Sequence, residues 1–146
     1  MYREQPIRTR LWWSFPARRV TDFDLHAVAQ DKFHFDMNDW RTIKFFFYLT
    51  DTDDQSGAHS YISRSHVDRR LRHQFTLMVG HEEEDLRREY GADRVRTVTG
   101  HAGAGFIEDP FVFHTGRRCH TRPRLLLELE YGPREHSESY KYGVYG

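Results

Sequence analysis

The sequence predicts a mainly β domain, a sandwich or jelly roll of antiparallel sheets. Three observations predict it. Seven or eight short runs are rich in β-branched and aromatic residues, clusters of turn-forming residues separate them, and one segment alone carries helical punctuation. Polar residues sit at strand ends rather than along a whole face, which favours a jelly roll over an immunoglobulin-like sandwich.

The runs come in this order. LWWSF (11–15) is short and aromatic. RTIKFFFYLT (41–50) is β-branched and aromatic, too short and too rich in Phe for a comfortable helix. HSYIS (59–63) alternates, and RVRTVTG (94–100) alternates up to Gly100. GFIED (105–109), FVFHTG (111–116) and RLLLELEY (124–131) complete the set. DTDDQSG (51–57), GHAGAG (100–105) and Pro123 supply turn chemistry between them, and Asp109 before Pro110 reads as another turn-former. HEEEDLRREYG (81–91) is the helix: acids fill its first turn, arginines follow, and Gly91 stops it. The domain spans 1–132, and REHSESYKYGVYG after Pro133 reads as a loose tail over 133–146.

Composition narrows the function. The 146 residues suit one domain. Lys+Arg and Asp+Glu both number 22, so net charge makes no electrostatic case for nucleic acid or an anionic membrane as partner. No apolar run approaches the roughly 20 residues of a membrane span. MYREQPIRTR is charged and lacks the apolar core of a signal peptide. Cys119 is the single cysteine, so no internal disulfide can form, and a reducing cytoplasm is the default location.

The chemistry gathers in DKFHFDMNDW (31–40). On a strand, residues i and i+2 face the same way, so His34 and Asp36 can reach one ion together. His114, at the end of a short strand 80 residues later, is the best third ligand. Two imidazoles and a carboxylate on one face of a metal form the facial triad of non-haem Fe(II) oxygenases, which leaves positions open for substrate and dioxygen. On the strand 41–50, Lys44, Phe46, Tyr48 and Thr50 share one face and Ile43, Phe45, Phe47 and Leu49 the other. Lys44, Tyr48 or Thr50 could therefore touch a ligand in the cup. His59, His101 and His120 have no carboxylate two residues on, and no nucleophile-elbow pattern surrounds Cys119.

FHFD (33–36), IKFFFYLTDTDDQSGAHSYISRSH (43–66), GHAGAGFIEDPFVFHTG (100–116) and RPRLLLELEYG (122–132), in this order, resemble the phytanoyl-CoA dioxygenase family over residues 28–132. The resemblance implies a double-stranded β-helix, cupin-like, with one or two short helices. It implies Fe(II), 2-oxoglutarate and O2, and hydroxylation or related oxidation of a small organic substrate with release of succinate and CO2. It puts the metal on His34, Asp36 and His114. It puts the far carboxylate of 2-oxoglutarate on Arg124, with Arg122 as the near alternative. A planar guanidinium suits that task, since it pairs with a carboxylate in a bidentate fork. His66 matches the family's Gly-Ser-His turn, with Arg64 in place of the glycine. Halogenating relatives carry a small residue where Asp36 stands, so hydroxylation is implied instead.

Only 33 residues precede His34, so the family's N-terminal helices are expected to be short or missing. The stripes Ile43, Phe45, Phe47, Leu49 and Leu125, Leu127, Leu129 then lack a cover, and one helix cannot shield both. Either the chain associates through this outer face or it is a shortened version of a longer protein, and a homo-oligomer is the expectation. Two alternatives to the oxygenase are a non-catalytic or degenerate jelly-roll binding module and a cupin-like metal enzyme that uses no 2-oxoglutarate.

Overall fold

Strict alternation of side chains organises the protein. In the strand Arg124–Tyr131, Arg124, Leu126, Glu128 and Glu130 are buried, while Leu125, Leu127, Leu129 and Tyr131 are half-buried on the opposite face. The neighbouring strand Ile43–Tyr48 does the same: Lys44, Phe46 and Tyr48 go inward. The structure is a computed structural model that describes residues 6–16, 32–36, 41–76 and 79–132. The expected tail over 133–146 lies outside the described residues.

Seven strands are described: β1 (Arg8–Ser14), β2 (Ile43–Tyr48), β3 (His59–Ile62), β4 (Val95–Val98), β5 (Gly105–Glu108), β6 (His114–Gly116) and β7 (Arg124–Tyr131). They form a larger sheet, ordered β1-β7-β2-β5, and a smaller one, ordered β4-β3-β6. Every strand pair is antiparallel. The extended pair Phe33–His34 lines the open edge of the smaller sheet, with His34 opposite His114 and Phe33 opposite His81. The two sheets close on an apolar layer of Phe46, Tyr48 and Leu126, with Trp12, Val98 and Phe106 packed against it. The architecture is the mainly β jelly roll that the strand pattern predicts.

The helix α1 (Glu83–Tyr90) covers the outer side of the smaller sheet. Leu86 and Tyr90 pack with Phe33, Phe35, Ile62 and Phe113 in a second core. Glu83, Glu84 and Asp85 stand in its first turn and Gly91, at φ 102°, closes it, as the helix dipole and the stop signal require. It begins two residues later than the sequence suggests. The His81 backbone is held extended by two hydrogen bonds with Phe33, 2.7 and 2.9 Å long, and so stays outside the helix.

Two strands start three residues away from where the sequence puts them. β1 starts at Arg8 rather than at residue 11, because its register with β7 sets Arg8 and Arg10 against Glu130 and Glu128, with ion pairs between them. β6 starts only at His114. Asp109 folds FVF into a turn: its carboxylate accepts from the Phe111 N–H at 2.9 Å and its carbonyl from the Val112 N–H at 3.1 Å.

Candidate metal centre

His34 and His114 face each other as a hydrogen-bonded antiparallel pair. The His34 N–H donates to the His114 carbonyl at 3.0 Å, and the His114 N–H to the His34 carbonyl at 2.8 Å. Asp36 is tied down by its own N–H, which donates to the Pro110 carbonyl at 2.9 Å. Alternation turns His34 and Asp36 to one side and Phe35, between them, to the other. One ligand atom from each of His34, Asp36 and His114 lies within 4.8 Å of the other two. The carboxylate of Asp36 is 3.7 Å from Nε2 of His34 and 3.8 Å from Nε2 of His114.

Both rings set Nδ1 against a backbone carbonyl. Nδ1 of His34 lies 3.2 Å from the Lys32 carbonyl, and Nδ1 of His114 lies 3.0 Å from the Val112 carbonyl. A carbonyl oxygen can only accept, so Nδ1 of each ring carries a hydrogen, and Nε2 of each faces Asp36. His114 is buried, whereas His34 and Asp36 keep about a quarter of their side-chain surface (24% and 25%). The centre therefore opens on the His34–Asp36 side.

Charges crowd the interior behind it. The Lys44 ammonium donates to the Asp36 carboxylate. Burial alone would raise the pKa of Asp36, but Lys44 first, then His114 and His34, hold it well below the usual carboxylate range. Lys44 itself stays charged: burial lowers its pKa, and Asp36, Glu128, Glu108 and Glu130 together raise it above the ordinary value. Burial pushes the pKa of the His114 imidazole down, against the upward pull of Glu108 and Asp36.

Sequence reasoning missed Glu108 and His59. His59 Nε2 bonds to Oε2 of Glu108, and Oε1 of Glu108 sits 3.7 Å from Nε2 of His114 with no hydrogen-bond partner among the described residues. Burial raises the pKa of Glu108, but His114 and His59 outweigh it and bring the value to about 2. The available signal was alternation: in GFIE, Phe106 and Glu108 share the inward face, so a carboxylate had to enter the cup.

The residues expected to hold a co-substrate separate into different places. Arg124 is 6% exposed and points into the domain. Its guanidinium donates to the Gly57 carbonyl and, at 3.3 Å, to the Ser14 hydroxyl, while Nε has no hydrogen-bond partner among the described residues. Among the described residues no carboxylate pairs with it. Gly116 borders the guanidinium: a Cβ there would lie 3.4 Å from Nη2 of Arg124, in ordinary contact. Arg122 is exposed and pairs with Asp53 at the surface. The Tyr48 hydroxyl donates to the Val98 carbonyl at 2.8 Å and accepts from the His59 N–H at 3.0 Å. Thr50 uses its hydroxyl to accept from the Leu125 N–H at 3.0 Å. Lys44 stands opposite Glu130 in the register, six residues along β7 from Arg124, or about 20 Å at the rise of a strand. The structure thus brings His34, Asp36, His114 and Lys44 together and sets Arg124 and Tyr48 further along the same interior.

No protein-family model and no curated protein matches the chain. Solved structures do. AviO1 from Streptomyces viridochromogenes Tue57 is 16% identical with a TM-score of 0.55, over 88% of this chain and 51% of its own. EctD from S. alaskensis, solved with 2-oxoglutarate and 5-hydroxyectoine, is 23% identical with a TM-score of 0.53, over 85% of this chain and 42% of its own. The non-heme alpha-ketoglutarate-dependent carbocyclase SnoK, from nogalamycin biosynthesis, is 18% identical with a TM-score of 0.53, over 84% and 47%. The chain spans about half of the length of these proteins, or less. At such identities the likeness shows the fold, and this chain has the jelly roll that AviO1, EctD and SnoK share.

Proposed function

We propose that this protein is an Fe(II)- and 2-oxoglutarate-dependent dioxygenase, of the phytanoyl-CoA dioxygenase-like kind, that hydroxylates or otherwise oxidises a small organic substrate with release of succinate and CO2. The observation that carries the reading is the convergence of two Nε2 lone pairs and one carboxylate within 4.8 Å at an open edge of the cup. That donor set suits ferrous iron with positions left vacant. Bound iron would supply the activation of dioxygen, with 2-oxoglutarate as the reductant.

The chain's own residues have definite parts in this proposal. His34, Asp36 and His114 hold the metal, with the two imidazoles fixed by the carbonyls of Lys32 and Val112. Arg124 offers a buried cation whose present partners are neutral oxygens, so a carboxylate there gains a charge-assisted pair. Gly116, beside that guanidinium, is two residues from His114, about 7 Å along the strand, a span that a five-carbon diacid bridges. The Phe46 and Phe106 rings stack with centroids 5.1 Å apart and both lie against His59. Structural neighbours solved with iron (EctD) and with 2-oxoglutarate support the same choice of ligands. A cytoplasmic location is proposed on the single cysteine; among the described residues no helix is long and apolar enough to cross a membrane.

Anaerobic titration of Fe(II) and 2-oxoglutarate tests the proposal. A weak visible charge-transfer band is expected, and His114→Ala should abolish it. Iron uptake without the band would favour the cupin-like alternative. No iron uptake would favour a binding module that has lost catalysis.

A further inference from the structure

The ligand-bearing segments have a second face, and one side chain covers it. Phe35, between His34 and Asp36, and Phe113, before His114, point away from the ligand atoms into the core under α1. They meet edge to face with ring centroids 5.5 Å apart. The guanidinium carbon of Arg69 lies 3.5 Å from the centroid of Phe35 and 5.0 Å from that of Phe113, and its Nη2 donates to the Phe111 carbonyl. Among the described residues Arg69 makes no ion pair, so its charge is directed at two ring faces and one carbonyl.

The loop that carries Arg69 is itself anchored. Ser65, fully buried, accepts from the Phe113 N–H at 2.7 Å. Asp68 takes Arg94 at 2.8 Å. Arg64 adopts φ +63°, a left-handed conformation uncommon for a residue with a side chain, and its carbonyl accepts from the N–H groups of Val67 and Asp68 at 3.1 and 3.0 Å. One loop therefore grips both segments from behind: Phe113 through its N–H and its ring, Phe35 through its ring.

We propose that Arg69 is a positioning residue of the metal centre, a clamp on Phe35 and Phe113 that holds His34, Asp36 and His114 in one geometry. The proposal rests on the reading of those three as metal ligands. Ligands on separate segments bind a metal well only if their supports keep them in place, and loss of a support commonly costs about 10–100-fold in affinity.

The test is Co(II) titration of the whole chain, followed by visible absorption, in the wild type and in Arg69→Met, Arg69→Lys and His114→Ala. Arg69→Met should bind Co(II) at least about tenfold more weakly, with an altered ligand-field spectrum, and Arg69→Lys, which restores a cation over the rings, should recover part of both. A role limited to stability would lower the unfolding midpoint and leave affinity and spectrum alone. Arg69→Met with the wild-type affinity and spectrum overturns the proposal. If Arg69→Met does not fold, Phe35→Leu, which removes the ring that Arg69 covers, carries the same expectation and the same overturning result. Wild type that takes up no Co(II), or His114→Ala that binds as the wild type does, instead overturns the metal reading itself.

Discussion

The Lys44 ammonium lies on the carboxylate of Asp36, where a divalent metal would also draw that carboxylate. Lys44 is buried among Asp36, Glu128, Glu108 and Glu130. Lys44→Met should therefore act with opposite signs on the two states. Without metal, it strands buried carboxylates and should cost about 3 kcal/mol of stability. With metal, it removes a like charge and a competitor for Asp36, and should tighten binding about tenfold. Urea unfolding with and without Co(II) measures both. A variant as stable as the wild type, or one that gains no more from the metal, contradicts the expectation.

Arg124 should affect the co-substrate and not the metal. Its guanidinium is buried away from Asp36, and replacing it removes charge-assisted hydrogen bonds worth about 1.5–3 kcal/mol. Arg124→Met should weaken 2-oxoglutarate binding by roughly 10–100-fold while the metal affinity stays within about twofold. Arg122→Met, at an exposed ion pair with Asp53, should change neither. Calorimetry on Co(II)-loaded protein separates the two. Equal effects from both variants would remove Arg124 from its proposed place.

Much of this was legible in the sequence because the signals were local. The i, i+2 spacing of His34 and Asp36 survives folding, since extended backbone turns both the same way, and RLLLELEY forms a strand with the expected bounds. What was not legible depended on partners distant in sequence. Glu108 meets His59 across 49 residues, and nothing in either segment announces the other. The length of β1 is set by Glu128 and Glu130 on β7 rather than by its own composition. Arg69 reads as an ordinary loop arginine until Phe35 and Phe113 are seen beneath it.

Two histidines behind the site should make stability depend on pH. Burial pushes the pKa of both His73 and His81 below the ordinary 6.5, and His81 also feels His73, with ring centroids 4.8 Å apart. Both rings pack on Phe113; Glu89, 3.3 Å from Nε2 of His73, favours a positive charge there, but burial with Arg69 and Arg72 outweighs it. For a base with a depressed folded pKa, the unfolded chain takes up protons first. The stabilisation is then complete above pH 6.5 and is lost as the pH falls toward the folded value. Urea midpoints measured from pH 8 to pH 5 should fall through that window, and His73→Gln should flatten the fall. An unchanged slope in that variant would show that other groups set the acid limit.

The outer face of the larger sheet should be an interface between copies of the chain. Its rows run across the strands as Leu11, Leu127, Phe47 and as Leu129, Phe45, Ile107, with Trp13 beside Leu125. Leu11, Trp13 and Ile107 remain 64%, 54% and 62% exposed, while α1 packs on the other sheet. An apolar surface of this continuity is characteristic of association. Burying one such side chain is worth about 1.5–3 kcal/mol, so a few of them support a dimer. Light scattering behind size exclusion should report at least twice the mass of one chain. Leu11→Lys with Ile107→Lys should reduce it to one chain and leave Co(II) binding unchanged, because both side chains point away from the cup. A soluble wild-type monomer at high concentration would contradict the interface while leaving the metal centre untouched.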